Sequence, residues 1–246
     1  MKVLVSLISL LAVSGPRDAQ PTAPAPYPFG VGEHLEYSAK LGMLKLGEAS
    51  MQVASIDTVR GREAFRIRYQ LEGGNFIFKI KTVLESWTTV DGFKSLRFRN
   101  DNTENGKNRL REYEIFPDSG FYRQAGRDST YATPDQPLDD ASLLYFVRTA
   151  PLEVGKSYRF EKYYVQEKNP LLIRVLKRET MELPDGSKVD CLVLNPVVDD
   201  KGMFADRAEA RLWLTNDARR IPVQIRSKYP WGTITLRLEK MTLAGD

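Results

Sequence analysis

The sequence predicts an all-β, mainly antiparallel fold: a strongly curved sheet forming a half-barrel or barrel, or two packed sheets. Most of the chain after residue 28 alternates apolar and polar residues with the period of two that is typical of strands. Turns rich in Gly, Asn and Asp separate these runs. Helical periodicity occurs in one later segment, so a sheet with a helix at every crossover is not expected.

The first 19 residues have the features of a secretory signal peptide. Lys2 precedes an apolar run from Val3 to Val13, and small residues follow it. The run is shorter than the roughly 20 residues that a membrane-spanning helix needs. No cysteine follows the leader for lipid attachment, so the mature chain is expected to be periplasmic or secreted, without an anchor. The cleavage site stays open between the region of Ala12 and Ala19.

Four prolines within residues 20–28 indicate an extended linker or a processed tail. We expect one β-rich domain over residues 29–243. Its first strand places Leu35, Tyr37 and Ala39 on one face, and the phase of the next run slips at Gly47-Glu48, which indicates a bulge. Two further runs, at 93–99 and 109–116, flank a predicted polar loop over residues 100–108.

One short helix is predicted near residues 139–149, between two β-rich halves. Asp139 is suited to cap its first turn, and Leu143, Phe146 and Val147 share one face. Pro151 ends the segment. The alternation then resumes and continues to the end of the domain.

Composition limits the chemistry that is available. Cys191 is the only cysteine, which excludes an internal disulfide, and its apolar surroundings predict a buried, inert thiol. The net charge of +4 is mild, and a secreted protein is not expected to bind nucleic acid.

No catalytic, cofactor-binding or metal-ligating set is predicted. His34 is the only histidine, which excludes sites that need two imidazoles, and no Gly-x-Ser-x-Gly elbow accompanies it. Capping explains the Asp139-Asp140 pair, and a turn explains Asp199-Asp200. Neither pair has the ligand spacing of a calcium loop.

A cationic surface is the main candidate for ligand contact. Arg97, Arg99, Arg109 and Arg111 fall on the two runs that flank the predicted loop, and a hairpin between them could line one face with arginine. Such a face would suit anionic head groups or polysaccharide, whereas a solvated outer face explains the same residues. Trp87 is a second candidate for ligand contact, and Trp213 and Trp231 share the same alternatives of ligand contact and packing.

Several stretches resemble the bacterial DUF3108 family of unknown function. They are Phe29 to Tyr37 with Leu46 to Ala49, Asp139 to Arg148 with Pro151, Leu212 to Asp217 with Arg220 to Val223, and Gly232 to Ile234. The resemblance implies an exported envelope protein of mainly β structure and supplies no catalytic residues.

The leading hypothesis is therefore a non-enzymatic envelope protein. It would bind an apolar or amphipathic ligand, such as a lipid, or a partner such as a lipoprotein, on a curved sheet. The first alternative is a glycan hydrolase that uses two carboxylates from different strands. The second is an assembly factor that pairs its sheet edge with a partner.

Overall fold

The computed structural model describes residues 27–74, 79–198, 204–230 and 232–245, with the backbone alone at residue 207. The predicted leader, nearly all of the predicted linker, the Asp199-Asp200 turn and Trp231 lie outside these ranges.

Within the described ranges the chain forms fourteen strands, one α-helix and three single 3₁₀ turns. The strands of the first half are β1 (His34–Leu41), β2 (Leu44–Val59), β3 (Arg62–Gly74), β4 (Lys79–Thr89), β5 (Ser95–Glu104), β6 (Lys107–Phe116), β7 (Phe121–Gln124) and β8 (Thr130–Ala132). The helix is α1 (Asp140–Thr149). The strands of the second half are β9 (Ser157–Phe160), β10 (Leu171–Glu182), β11 (Lys188–Val197), β12 (Arg211–Thr215), β13 (Pro222–Tyr229) and β14 (Gly232–Thr242). The 3₁₀ turns are Pro117–Ser119, Gln166–Lys168 and Asp206–Ala208.

All the described strands belong to one antiparallel sheet, in the order β8-β7-β6-β5-β4-β3-β2-β1-β14-β13-β12-β11-β10-β9. Strands that are consecutive in the chain pair with each other, except β8 and β9, which form the two edges, and β1 pairs with β14 at the centre. This arrangement confirms the predicted all-β, antiparallel class. Of the predicted architectures, the structure has a single curved sheet that is not closed into a barrel.

The two edges of the sheet approach each other without pairing directly. Leu138 forms an isolated parallel bridge with Tyr163, and the Tyr164 amide donates to the Leu138 carbonyl at 2.9 Å. Thr133, which follows edge strand β8, donates its hydroxyl to the carbonyl of Tyr164, which follows edge strand β9. The sheet therefore curls until the segments after its edge strands meet.

One face of the curled sheet carries the core, and we call it the inner face. The predicted inward residues Leu35, Tyr37 and Ala39 are all buried there. They belong to one apolar cluster that extends across the sheet and includes Leu143 and Val147 of α1. Helix α1 lies against β3 and β4 on this face.

Helix α1 begins where the sequence predicts. Asp139 Oδ1 accepts hydrogen bonds from the amides of Ala141 (3.0 Å) and Ser142 (2.9 Å). The Asp139 amide donates back to Ser142 Oγ at 2.8 Å, which completes a capping box. The second carboxylate oxygen accepts from the Ser86 hydroxyl, so the cap also ties the helix to β4.

The last turn of α1 carries a buried ion pair. Arg148 donates to both carboxylate oxygens of Glu33, at 2.6 and 2.9 Å, and both side chains are at most 1% exposed. The same guanidinium donates to the carbonyls of Pro28 and Arg219 at 3.0 Å. This contact lies at one end of the sheet, which we call the helix end. We call the opposite end the hairpin end, because the β1–β2, β3–β4, β5–β6 and β13–β14 connections lie there.

Two expectations for the hairpin end need correction. The predicted loop over residues 100–108 is instead a continuous hairpin, in which β5 runs to Glu104 and β6 starts at Lys107. Its turn is Asn105-Gly106, with φ of +48° and +77°, as a type I′ turn requires. The predicted bulge in β2 exists, but the unpaired residue is Leu46, one position before the glycine, because Ala39 pairs with Gly47 and Lys40 with Lys45.

Candidate functional site

The pairing of β5 with β6 confirms a hairpin but separates the four candidate arginines. Arg97 lies opposite Glu114 and Arg99 opposite Glu112, whereas Arg111 lies opposite Asn100. Directly opposed residues share a face, and successive residues alternate between faces. Arg97 and Arg99 are therefore on the outer face and Arg109 and Arg111 on the inner face, so the expectation that all four line one face is wrong.

The outer pair of arginines is neutralised by carboxylates. Arg97 Nε lies 2.6 Å from Glu114 Oε1. Arg99 lies within 3.4 Å of carboxylate oxygens of Glu85, Asp101 and Glu112. These contacts form an ion-pair network along the outer surface of β4, β5 and β6.

Trp87 is enclosed by the same network. Its indole nitrogen donates to Asp57 Oδ2 at 2.8 Å, and the guanidinium carbons of Arg66 and Arg97 each lie 5.5 Å from its ring centre. Hydrogen bonds from Ser55 and Trp87 hold the pKa of Asp57 below its usual range. A ligand contact at Trp87, Arg97 or Arg99 stays a prediction, and it would have to displace these partners.

The inner pair of arginines has different neighbours. Arg109 lies opposite Asn102, which accepts a hydrogen bond from Thr82 at 2.9 Å. Arg111 lies opposite Asn100, and both arginines are exposed. Neither takes part in an ion pair among the described residues. The inner face of the β5–β6 hairpin therefore carries two guanidinium groups that contact no described carboxylate.

Apolar side chains continue the same cross-strand rows. Leu84 on β4 lies opposite Asn100 on β5, which in turn lies opposite Arg111 on β6. Leu71 on β3 lies opposite Thr82, in the next row of the same face toward the hairpin end. Leu71 and Leu84 are only partly buried although they pack on the core. We call the set the inner patch: Leu71, Leu84, Asn100, Asn102, Arg109 and Arg111.

Tyr69 forms the base of the inner patch. It lies opposite Leu84, is 7% exposed, and its buried hydroxyl has no hydrogen-bond partner among the described residues. Burial, more than the neighbouring Tyr229, raises its pKa well above the usual value, so it stays a neutral phenol.

A groove of about 1120 Å³ also crosses the outer face near the centre of the sheet, and the single histidine, His34, lines it. Its carboxylates have partners: Glu48 contacts Lys45 at 2.9 Å, and Ser38 donates to Glu239 at 2.6 Å. The hydrogen bond and charge of Lys45 hold the pKa of Glu48 below its usual range. A general acid needs the opposite shift, so Glu48 is not suited to that role.

The remaining candidates are structural. Cys191 is fully buried, and burial raises the pKa of its thiol to about 12, as expected of an inert cysteine. Trp213 is 6% exposed and belongs to the core. Asp140 accepts a hydrogen bond from the Tyr163 hydroxyl at 2.6 Å, beside the Asp139 cap.

Over the ranges that the structure describes, no three His, Cys, Asp or Glu side chains are grouped so as to hold a metal ion. No helix in the described part of the chain is both long and apolar enough to span a bilayer.

The described residues define a curled, antiparallel β-sheet protein in which one α-helix packs on the inner face, beside the inner patch. A family model described as "Protein of unknown function (DUF3108)" matches residues 36–239. The chain therefore belongs to the DUF3108 family, which confirms the resemblance found in the sequence. No curated protein matches it.

One solved structure supports the same architecture. The crystal structure of a β-barrel-like protein of the DUF1849 domain of unknown function, from Brucella abortus, matches with a TM-score of 0.56 and 10% identity. The match covers 87% of this chain and 98% of that one. A hypothetical protein from Chlamydia trachomatis matches with a TM-score of 0.32 and 9% identity over 85% of this chain and 87% of its own. At such identity the first match supports the fold alone.

Proposed function

We propose that this protein is exported to the cell envelope and binds an amphipathic ligand with an anionic head group at the inner patch. The observation that carries the proposal is the contrast between the two arginine pairs. Arg97 and Arg99 are held by carboxylates on the outer face, whereas Arg109 and Arg111 have amide neighbours on the inner face. Export is supported by the leader-like pattern of residues 1–19.

The arginine pair suits an anionic group. Guanidinium groups donate several hydrogen bonds in a fixed geometry that fits a carboxylate or a phosphate. Asn100 and Asn102 add amide groups that accept and donate without neutralising the charge. The head group of the ligand would lie between β5 and β6, close to the solvent.

The apolar part of the ligand would extend across β4 and β3. Leu84 and Leu71 offer partly exposed surface on the same face, and Tyr69 lies at their base. An acyl chain that covers the two leucines removes apolar surface from water on both sides of the contact. A charged group at one end and an apolar track beside it together fit an amphipathic molecule better than a glycan.

The test is a fluorescence titration of the purified chain with a dansyl-labelled fatty acid. Mass spectrometry of the same preparation, taken from the periplasmic fraction, measures the N-terminus and any co-purified lipid. The Arg109→Gln/Arg111→Gln variant should bind the fatty acid at least tenfold more weakly, since charged hydrogen bonds contribute about 1.5–3 kcal/mol each. An uncharged fatty alcohol should bind the unmodified chain about as weakly.

The matched control is Arg127→Gln/Arg226→Gln, which removes two exposed arginines that are outside the described ion pairs. It should bind the fatty acid as the unmodified chain does. Equal loss in both double variants would mean that net charge, not the inner patch, governs binding. Unchanged binding in the inner-patch variant would refute the site.

A further inference from the structure

The most exposed apolar side chains of the described chain lie at the tip of the β1–β2 hairpin. Met43 is 98% exposed and Leu44 is 69% exposed. We call Gly42, Met43 and Leu44 the docking tip. Large apolar side chains of soluble proteins are rarely this exposed in adjacent positions unless they contact a partner or a membrane.

The docking tip is a tight turn that is hydrogen-bonded to the neighbouring strand. Leu41 pairs with Leu44, so the loop has two residues, and Gly42 has a φ of +58° at the first of them. A glycine in this conformation is typical of the tight type II′ hairpin turn. The Gly42 amide also donates to the Thr233 carbonyl of β14, which fixes the tip to the neighbouring strand.

The register shows how far the docking tip extends. Gly47, Gly73, Ile80 and Glu104 form one cross-strand row, and Ala39 lies opposite Gly47. The Asn105-Gly106 turn lies one residue step beyond this row, whereas Gly42-Met43 lies three steps beyond it. Measured along the strands from this row, at about 3.4 Å per residue, the β1–β2 hairpin is roughly 7 Å longer than the β5–β6 hairpin.

Three lysines lie along the rim at the hairpin end, on the same side of the sheet as the docking tip. Lys40 is in the same hairpin, Lys79 starts β4, and Lys107 starts β6. None of the three takes part in the ion pairs of the described chain. Two carboxylates near them, Glu104 opposite Lys107 and Glu239 in the groove that Lys40 lines, are likewise outside these ion pairs. The Lys79 amide donates to Asn105 Oδ1 at 2.8 Å, which joins the start of β4 to the β5–β6 turn.

We infer that the docking tip is a membrane-contact site for an anionic bilayer surface. Met43 and Leu44 would enter the boundary between head groups and acyl chains, where apolar side chains gain burial without spanning the bilayer. The three lysines would stay in the head-group layer and attract anionic lipid. This inference goes beyond ligand binding, because it concerns the rim of the sheet and not the inner patch.

The experiment is co-sedimentation of the purified full chain with vesicles, after its N-terminus has been measured. One set is phosphatidylglycerol and phosphatidylcholine at equal amounts, and the other is phosphatidylcholine alone. We expect binding to the anionic vesicles that falls as NaCl rises. Met43→Ser/Leu44→Ser should lower the partition coefficient at least tenfold, and Lys40→Gln/Lys79→Gln/Lys107→Gln should reduce binding to the level on neutral vesicles.

Val31→Ser is the matched control, because Val31 is 46% exposed and lies two residues before Glu33, whose ion pair with Arg148 defines the helix end. It should sediment as the unmodified chain does, and thermal unfolding should show all variants folded. The Arg109→Gln/Arg111→Gln variant should still sediment, which separates this inference from the proposed ligand site. Unchanged sedimentation of the Met43/Leu44 variant would overturn the inference. So would self-association through the tip in light scattering without vesicle binding.

Discussion

Arg148→Ala should be among the most destabilising single substitutions in this chain. The unmodified guanidinium is completely buried, holds both oxygens of Glu33, and bonds to two backbone carbonyls. It also lies against two aromatic rings that contact each other, with its central carbon 5.2 Å from the Phe29 ring centre and 5.3 Å from that of Tyr145. Truncation leaves the Glu33 carboxylate buried without its counter-charge.

The expected loss in the free energy of unfolding is about 3–5 kcal/mol, as for other buried ion pairs that lose one partner. Because domains are stable by only about 5–15 kcal/mol, this is a large part of the total. Urea unfolding followed by tryptophan fluorescence measures it as a lower midpoint at a constant slope.

Two variants test the reasoning behind this value. Arg159→Ala removes an exposed pair with Glu161, whose side chains are 66% and 52% exposed, and should cost at most about 1 kcal/mol. Arg148→Met/Glu33→Leu removes both buried charges and should recover much of the loss, since no unpaired ion remains. A cost below about 1 kcal/mol for Arg148→Ala would refute the argument.

Two further stability predictions concern the helix cap and the close approach of β2 to β3. Burial raises the pKa of Asp139 to about 6 despite its hydrogen bonds from Ser86 and the helix amides, so the folded chain binds more protons than the unfolded chain between about pH 4 and 6. As the pH rises from about 4 to 6, the free energy of unfolding of the unmodified chain, relative to that of Asp139→Asn, should therefore fall by about 3 kcal/mol. Urea titrations at several pH values measure this difference in free energy, and a difference that does not change with pH would contradict the raised pKa. Gly47→Ala should lower the melting temperature by roughly 4–8 °C, because its Cβ would lie 2.1 Å from the Glu72 carbonyl oxygen and the overlap costs about 2 kcal/mol. Ser50→Ala in the same strand is the control in calorimetry, and equal melting temperatures for the two variants would contradict the clash.

The strands were predictable because one side of the sheet is buried. Alternation in β1 placed Leu35, Tyr37 and Ala39 correctly, since a one-residue slip would expose all three. The helix start was predictable because the Asp139 cap is a local interaction.

The faces of the four arginines depend on a single turn. With Asn105-Gly106 as a two-residue turn, paired residue numbers add up to an odd total, so odd-numbered residues on the two strands point to opposite faces. The Asn-Gly dipeptide is a strong hairpin signal, and it was available in the sequence. With a longer loop over residues 100–108, the register of the two strands is not defined, so neither the faces of the arginines nor the inner patch could be predicted.

Contacts between distant segments had no comparable signal. Glu33 and Arg148 are 115 positions apart, and no periodicity links a residue before the first strand to the last turn of a helix. The row that joins Leu84, Asn100 and Arg111 likewise depends on three strands in register. Such sites follow from tertiary packing, which local patterns do not encode.

The pairing of β1 with β14 affects the order in which the molecule can assemble. Each half of the sheet is a meander of neighbouring hairpins, and these can form as soon as their own residues are available. The seam between the halves joins Leu41 to Ile234 and His34 to Thr242, so it can close only when the last strand has been delivered. A chain threaded through a membrane from its N-terminus would complete its sheet only at the end of translocation.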